Sequence, residues 1–123
     1  MRLKKAEREQ LRRKYDGHCA YCGVELVGNK WHEDHLDPII RQVDKPTERP
    51  ENHRLDNMMP ACAPCNRSKG RQELEGWRKW LAGHVNSLNE YHGIYRMAKA
   101  YGLVVETAAP VVFFFERCEA ARV

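Results

Sequence analysis

The chain has 123 residues, 42% hydrophobic and 31% charged, with a formal net charge of +4. That length holds one compact domain with an appendage and leaves little room for a second core, and the composition excludes a wholly disordered chain. The longest apolar run, Val111 to Phe115, is far short of the ~20 residues of a membrane-crossing helix, and the basic start Met1-Arg-Leu-Lys-Lys runs into charged residues where a signal peptide would be apolar; no membrane partner is expected, and a cytoplasmic, reducing location is.

Residues 2 to 15 read as a helix, because Leu3, Ala6, Leu11 and Tyr15 fall near one face and no Gly or Pro interrupts them. The segment also gathers charge: Arg2, Lys4, Lys5, Arg8, Arg12, Arg13 and Lys14 against Glu7 and Glu9 make a local +5. Asp16-Gly17 ends it, and Cys19-Ala-Tyr-Cys22-Gly23 forms a tight knuckle whose glycine supplies the permissive backbone such turns need. Extended segments are expected at Glu25 to Val27 and Trp31 to His35, with Gly28-Asn29 as a hairpin turn between them. The polar stretch from Asp37 to Asn52, with prolines at 38, 46 and 50, reads as a loop.

A second knuckle, Cys62-Ala-Pro-Cys65, precedes a helix that Asn66 caps and Gly83 ends, with Leu74, Trp77 and Leu81 as its apolar stripe. Beyond Gly83 a further helix is expected around Leu88 to Tyr101, then a strand pair at Leu103 to Glu106 and Val111 to Arg117, with Ala109-Pro110 in the turn. The run Val111 to Phe115 is too apolar to remain an exposed edge and is expected in the core. The fold class is therefore α+β, organised as residues 1–83 and an extension 84–123 packed on the same domain.

The two C-x-x-C pairs, Cys19/Cys22 and Cys62/Cys65, point to structural Zn²⁺. Each knuckle directs two thiolates at one point, and two knuckles complete a tetrahedron. A redox reading is weaker, since two pairs are present and neither opens a thioredoxin-like βαβ unit. Cys118 has no partner in the pattern and reads as an incidental free thiol.

The 39 residues between Cys22 and Cys62 exceed a minimal zinc ribbon, and closing that segment through the metal brings Asp34 and His35 toward Asn66. The helix start at Asn66 presents backbone N–H groups and the positive end of a dipole, which suits a phosphate. Arg67, Lys69, Arg71, Arg78 and Lys79 follow it as a second basic cluster. Two basic segments flanking a metal-like centre suggest a polyanionic partner, with Arg67, Lys69 and Arg71 as phosphate contacts.

Three stretches taken together, Tyr15-Asp-Gly-His-Cys19-Ala-Tyr-Cys22-Gly23, Glu33-Asp34-His35-Leu-Asp-Pro38 and Asp56-Asn57-Met-Met-Pro-Ala-Cys62-Ala-Pro-Cys65-Asn66-Arg-Ser-Lys69-Gly70, resemble the HNH endonuclease family. The resemblance implies a ββα-metal core stapled by the four-cysteine zinc site, with the basic helix before it. It implies a metal-dependent DNA endonuclease in which His35 is the general base, Asp34 and Asn66 hold the catalytic metal, and Asn57 fixes the loop carrying His35. Where the family has His or Asn at the third motif position, this chain has Asn66.

An imidazole takes a proton from water near neutral pH, and oxygen ligands favour Mg²⁺ or Mn²⁺. His32 and His53 stand in reserve near the site, and His18, His84 and His92 read as structural or surface residues. Cleavage of low sequence specificity is expected, because no second DNA-reading module is apparent. By family analogy alone, such chains are encoded by phages or mobile elements and assist packaging or processing; a homodimer is one way for single centres to cut both strands. The rival from another class is a zinc-ribbon module that binds nucleic acid without cutting it; a third is a catalytically silent subunit that docks through its C-terminal apolar segment.

Overall fold

The computed structural model describes residues 3–121; Met1 and Arg2, which open the expected first helix, lie outside the described residues. The chain divides into two compact units, one formed by Met1–Leu74 together with Val112–Val123 and the other by Glu75–Val111. The segment 84–123 is thus shared between them.

In the first unit, α1 (Lys5–Arg13) buries Leu11 and leads to the buried Tyr15. Much of its positive charge serves the fold. Arg8 donates to the carbonyls of Asn29 and Trp31, pairs with Glu33 at 2.9 Å, and lies 3.8 Å over the Trp31 ring. Arg12 donates to the carbonyls of Leu26 and Gly28, and Lys14 Nζ to that of Met58. These bonds tie α1 to a segment that has few backbone partners of its own.

The central pairing joins β1 (His32–His35) to a strand more than 20 residues away, β4 (Met58–Ala61), antiparallel with His35 opposite Met58 and His32 opposite Ala61. The expected hairpin between 25–27 and 31–35 does not form, and Glu25 makes only a single bridge to His18. The backbone of 24–26 is already engaged by the first knuckle, through Cys19 N to Val24 O and Leu26 N to Gly17 O. β4, buried at every position, offers β1 an apolar partner instead.

The stretch read as a loop contains a short hairpin, β2 (Ile40–Gln42) and β3 (Lys45–Glu48), followed by two 3₁₀ turns. Pro46, which argues against a strand in sequence, sits where the register is irregular: Ile40 faces Glu48, Gln42 faces Lys45, and Pro46 and Thr47 oppose Arg41 alone. A bulge is where a strand tolerates a residue that cannot donate.

After β4, α2 (Ala63–Lys69) begins at Cys62, which occupies the cap position, with Pro64 in the first turn. Asn66 is therefore inside the helix, its N–H bonded to Cys62 O, and is not the cap expected of it. The helix stops at Gly70, whose φ of 53° is left-handed, so the single expected helix of 66–81 is two, α2 and α3 (Leu74–Ala82).

The expected C-terminal strand pair is absent among the described residues. Its second half is a helix, α6 (Phe114–Ala121), preceded by irregular chain. The backbone groups that would have formed a ladder bond the first knuckle: Phe114 N to Tyr21 O at 2.9 Å and Phe115 N to Ala20 O at 2.7 Å. Phe113 and Phe115 are buried, as their apolarity requires, packing edge-on to Tyr21 at 5.7 and 6.2 Å. Phe114 covers Gly23 so closely that a Cβ there would stand 2.9 Å from the ring.

In the second unit Trp77 is buried on α3, and α4 (His84–Tyr91) and α5 (Gly93–Ala100) replace the single helix expected at 88–101. The break falls at His92, whose extended backbone precedes Gly93. No helix of the described residues is long and apolar enough to cross a membrane.

Candidate metal centre and active site

The two knuckles meet. The four Sγ atoms of Cys19, Cys22, Cys62 and Cys65 lie within 4.8 Å of one another. A tetrahedral zinc with bonds of ~2.3 Å sets its sulfurs ~3.8 Å apart, and Cys22 Sγ and Cys62 Sγ are 3.7 Å apart. A hydrogen bond from Cys65 holds the Cys19 thiol down to about 4; the same bond pushes Cys65 above the usual thiol range, and burial lifts Cys62 to about 11. Loss of a proton is thus favoured at Cys19 and opposed at Cys62 and Cys65, an opposition that a cation among the sulfurs would relieve. Four sulfurs in this arrangement fit structural zinc. Cys118 is outside the group.

Beside this centre opens a cavity of about 920 Å³ whose lining includes His32, Asp34, His35, Arg41, Asn66 and Arg71. β1 supplies the first three, and the antiparallel pair with β4 directs Asp34 inward, where it is 6% exposed. Asp34 Oδ2 accepts from the Tyr21 hydroxyl at 2.5 Å and pairs with Lys69 Nζ at 3.2 Å. Burial raises the pKa of Asp34, and these two partners oppose that rise. The Tyr21 hydroxyl is pushed well above its usual range, chiefly by burial and then by the Asp34 charge.

His35 is half-buried, and its Nε2 meets His53 Nδ1 at 2.9 Å. Burial, then the charges of His53, Arg41 and Lys69, lower its pKa to about 4, against an upward pull from Glu33. Asn57, 4% exposed, pins the loop that follows. Its Oδ1 accepts from Asp37 N at 3.0 Å, its Nδ2 donates to the carbonyls of Asp37 and Asn52, and its own carbonyl accepts from Leu36 N.

Asp34 and His35 on β1 and Asn66 on α2 thus line one cavity, Asn66 directly follows the last residue of the cysteine cluster, and Asn57 clamps the loop that follows His35. Residues 19–72 match the family model described as HNH endonuclease. Those residues are an HNH endonuclease domain. No curated protein and no solved structure matches the chain. The HNH segment begins at the first zinc-type cysteine and ends just past Arg71, so α1 and Phe113 to Phe115, which brace the knuckle, lie outside it.

Within the HNH domain, one residue expected on the surface is inside. Lys69 is 0% exposed, its Nζ held by Asp34 and, at 2.8 Å, by the carbonyl of His35. A side chain sealed there does not reach a phosphate, so its assignment to nucleic-acid binding is corrected: it is an internal strut between α2 and β1. Arg71 lines the cavity, and Arg67, on α2, is not among the cavity's lining residues. Two residues gain weight. His53, a reserve candidate in sequence, is the hydrogen-bond partner of His35. Arg41, hidden in what read as a loop, enters the cavity from β2. For Arg41 the alternation Ile-Arg-Gln was the available signal, and the prolines around it masked it.

Proposed function

We propose that the chain is a metal-dependent endonuclease that hydrolyses phosphodiester bonds of DNA with low sequence specificity. The observation that carries this reading is the convergence of Asp34, His35 and Asn66 on one cavity, next to the cysteine cluster. In this reading His35 is the general base. It takes a proton from the attacking water as the water oxygen bonds to phosphorus and the bond to the leaving sugar oxygen breaks. With its pKa near 4 the ring is neutral, and so able to accept that proton, throughout the neutral range. The His53 contact holds the ring: with the shared proton on His35 Nε2 and His53 Nδ1 accepting, His35 Nδ1 is the nitrogen left free to take the water's proton. The Asn57 clamp keeps the backbone after His35 from shifting.

Asp34 and Asn66 would hold the second metal, which when bound neutralises charge that builds on the phosphate. Two oxygen donors in an open cavity suit Mg²⁺ or Mn²⁺, ions that keep several waters and share their shell with substrate oxygens. One observation favours the rival, a nucleic-acid-binding zinc module that does not cut: the Asp34 carboxylate already has Tyr21 and Lys69 as partners, with which a metal would have to share it.

Plasmid nicking by zinc-loaded wild type and His35→Ala, with no added divalent ion, with Mg²⁺ and with Mn²⁺, separates the two. The endonuclease reading expects cleavage that needs the divalent ion and falls about 10²- to 10⁴-fold in the variant, the usual contribution of a positioned base. Wild type that binds DNA but leaves the plasmid intact in both metals makes the protein the binding module.

A further inference from the structure

The charges around the cavity are unevenly matched. Its two carboxylates each have a cation of their own: Glu33 pairs with Arg8 at 2.9 Å and Asp34 with Lys69 at 3.2 Å. Arg41 and Arg71 line the same space, both are exposed, and neither side chain has an ion-pair or hydrogen-bond partner among the described residues. The cavity that His35 lines therefore also presents two guanidinium groups with no carboxylate of their own among the described residues.

The element that carries Arg41 adds a second observation. Among the described residues β2 and β3 pair only with each other, and every residue of β3 is exposed. An isolated two-stranded ribbon is marginally stable in water and ordinarily needs a further surface to rest on. Its one irregularity, Pro46 and Thr47 opposite Arg41, lies at the position facing that residue; bulges beside functional clefts re-aim side chains. A planar, permanently charged fork on a cleft wall matches a phosphate better than it matches any uncharged ligand.

We propose that the β2–β3 hairpin is a DNA-contacting wall of the cleft, with Arg41 gripping a backbone phosphate of the strand that lies against His35, and Arg71 a neighbouring one. This rests on the endonuclease reading and specifies how substrate is held. Arg41 acts as a binding residue, and because it grips phosphate it adds affinity without sequence preference.

The test is equilibrium binding of zinc-loaded protein to a short DNA duplex, with no Mg²⁺ or Mn²⁺ added, over a range of salt, for wild type, Arg41→Ala, Arg41→Lys and Arg41→Glu. Far-UV CD and zinc content confirm that each variant is folded. The proposal expects Arg41→Ala to bind about tenfold more weakly and to lower the slope of log affinity against log salt by about 0.9, the value of one lost phosphate contact. Arg41→Lys should keep the slope, and Arg41→Glu should bind more weakly than Arg41→Ala. Wild type that binds and cuts while Arg41→Ala keeps its affinity and slope overturns the proposal and leaves the endonuclease reading standing. Wild type that neither binds nor cuts DNA overturns both.

Discussion

In the unit that carries the HNH domain, partners distant in sequence close on one another: Cys22 meets Cys62, Tyr21 meets Asp34, Asp34 meets Lys69, and Phe115 bonds back to Ala20. In Glu75–Val111 the arrangement differs. α4 and α5 bury no residue, and the densest polar knot is the half-exposed Glu106 carboxylate, which accepts from Asn89 and Tyr95 and pairs with Lys99. Long loops are entropically expensive to close, so the first unit depends on a few strong links that act together. The second rests on short connections, each weak and wetted by solvent. One should fail as a whole when a link is cut, the other by increments.

The sharpest challenge to this contrast is removal of the structural metal. Zinc in small thiolate sites binds with an apparent free energy on the order of 10–16 kcal/mol, and that energy is folding energy. Chelation, or Cys65→Ser, is expected to abolish the near-UV CD that arises from the packed Tyr21, Trp31 and Phe115. A protein shown by metal analysis to be zinc-free that keeps its near-UV spectrum breaks the comparison, because the first unit would then stand without its strongest link.

Next in size is the buried ion pair. Lys69 and Asp34 have side chains only 0% and 7% exposed, so Lys69→Met leaves a carboxylate without its cation in a low-dielectric interior. Breaking such a pair costs about 3–5 kcal/mol, and the strut to the His35 carbonyl is lost with it. Denaturant titration is expected to show that loss, and the double variant Lys69→Met/Asp34→Asn to recover part of it. A loss below about 1 kcal/mol, the range of exposed pairs, would show that Lys69 is a solvated side chain after all.

The same contrast explains what was legible in the sequence. The cysteine pairs were readable because zinc chemistry demands thiols at that spacing, whereas Asp34, His35, Asn57 and Asn66 were singled out by the resemblance to the HNH family. The partner of β1 was not, since whether 25–27 or 58–61 pairs with 32–35 depends on the knuckle having already engaged the backbone of Val24 and Leu26. The fate of Lys69 was hidden for a related reason: a lysine reads as surface until a buried carboxylate and a carbonyl are known to face it. The C-terminal run revealed its burial through Phe113 and Phe115 and concealed its conformation, because its backbone partners, Ala20 and Tyr21, lie more than 90 residues earlier. Val85, Ile94 and Met97, by contrast, are apolar yet exposed, and no periodicity argument distinguishes such a face from a buried one.

The smallest expected effect belongs to the second unit. Hydrogen bonds from Asn89, Tyr95 and Lys99 hold the Glu106 carboxyl down to about 2, below the ordinary glutamate value of 4.5. A group whose folded pKa is depressed stabilises the fold above its unfolded pKa and loses that contribution as pH falls through the folded one. The Glu106 knot is therefore complete at pH 7 and should loosen progressively between about pH 4.5 and pH 2. Because the carboxylate is only partly covered, the change should be a local and modest one, best followed by the NMR signals of the Asn89 side-chain amide and the Tyr95 ring. Glu106→Gln should already show the acid-like positions at neutral pH and little further movement on acidification. If instead those signals collapse together with resonances of Tyr21 and Trp31 over the same pH range in the wild type, and Glu106→Gln does not separate them, the two units share one cooperative transition and the incremental character assigned to Glu75–Val111 is wrong.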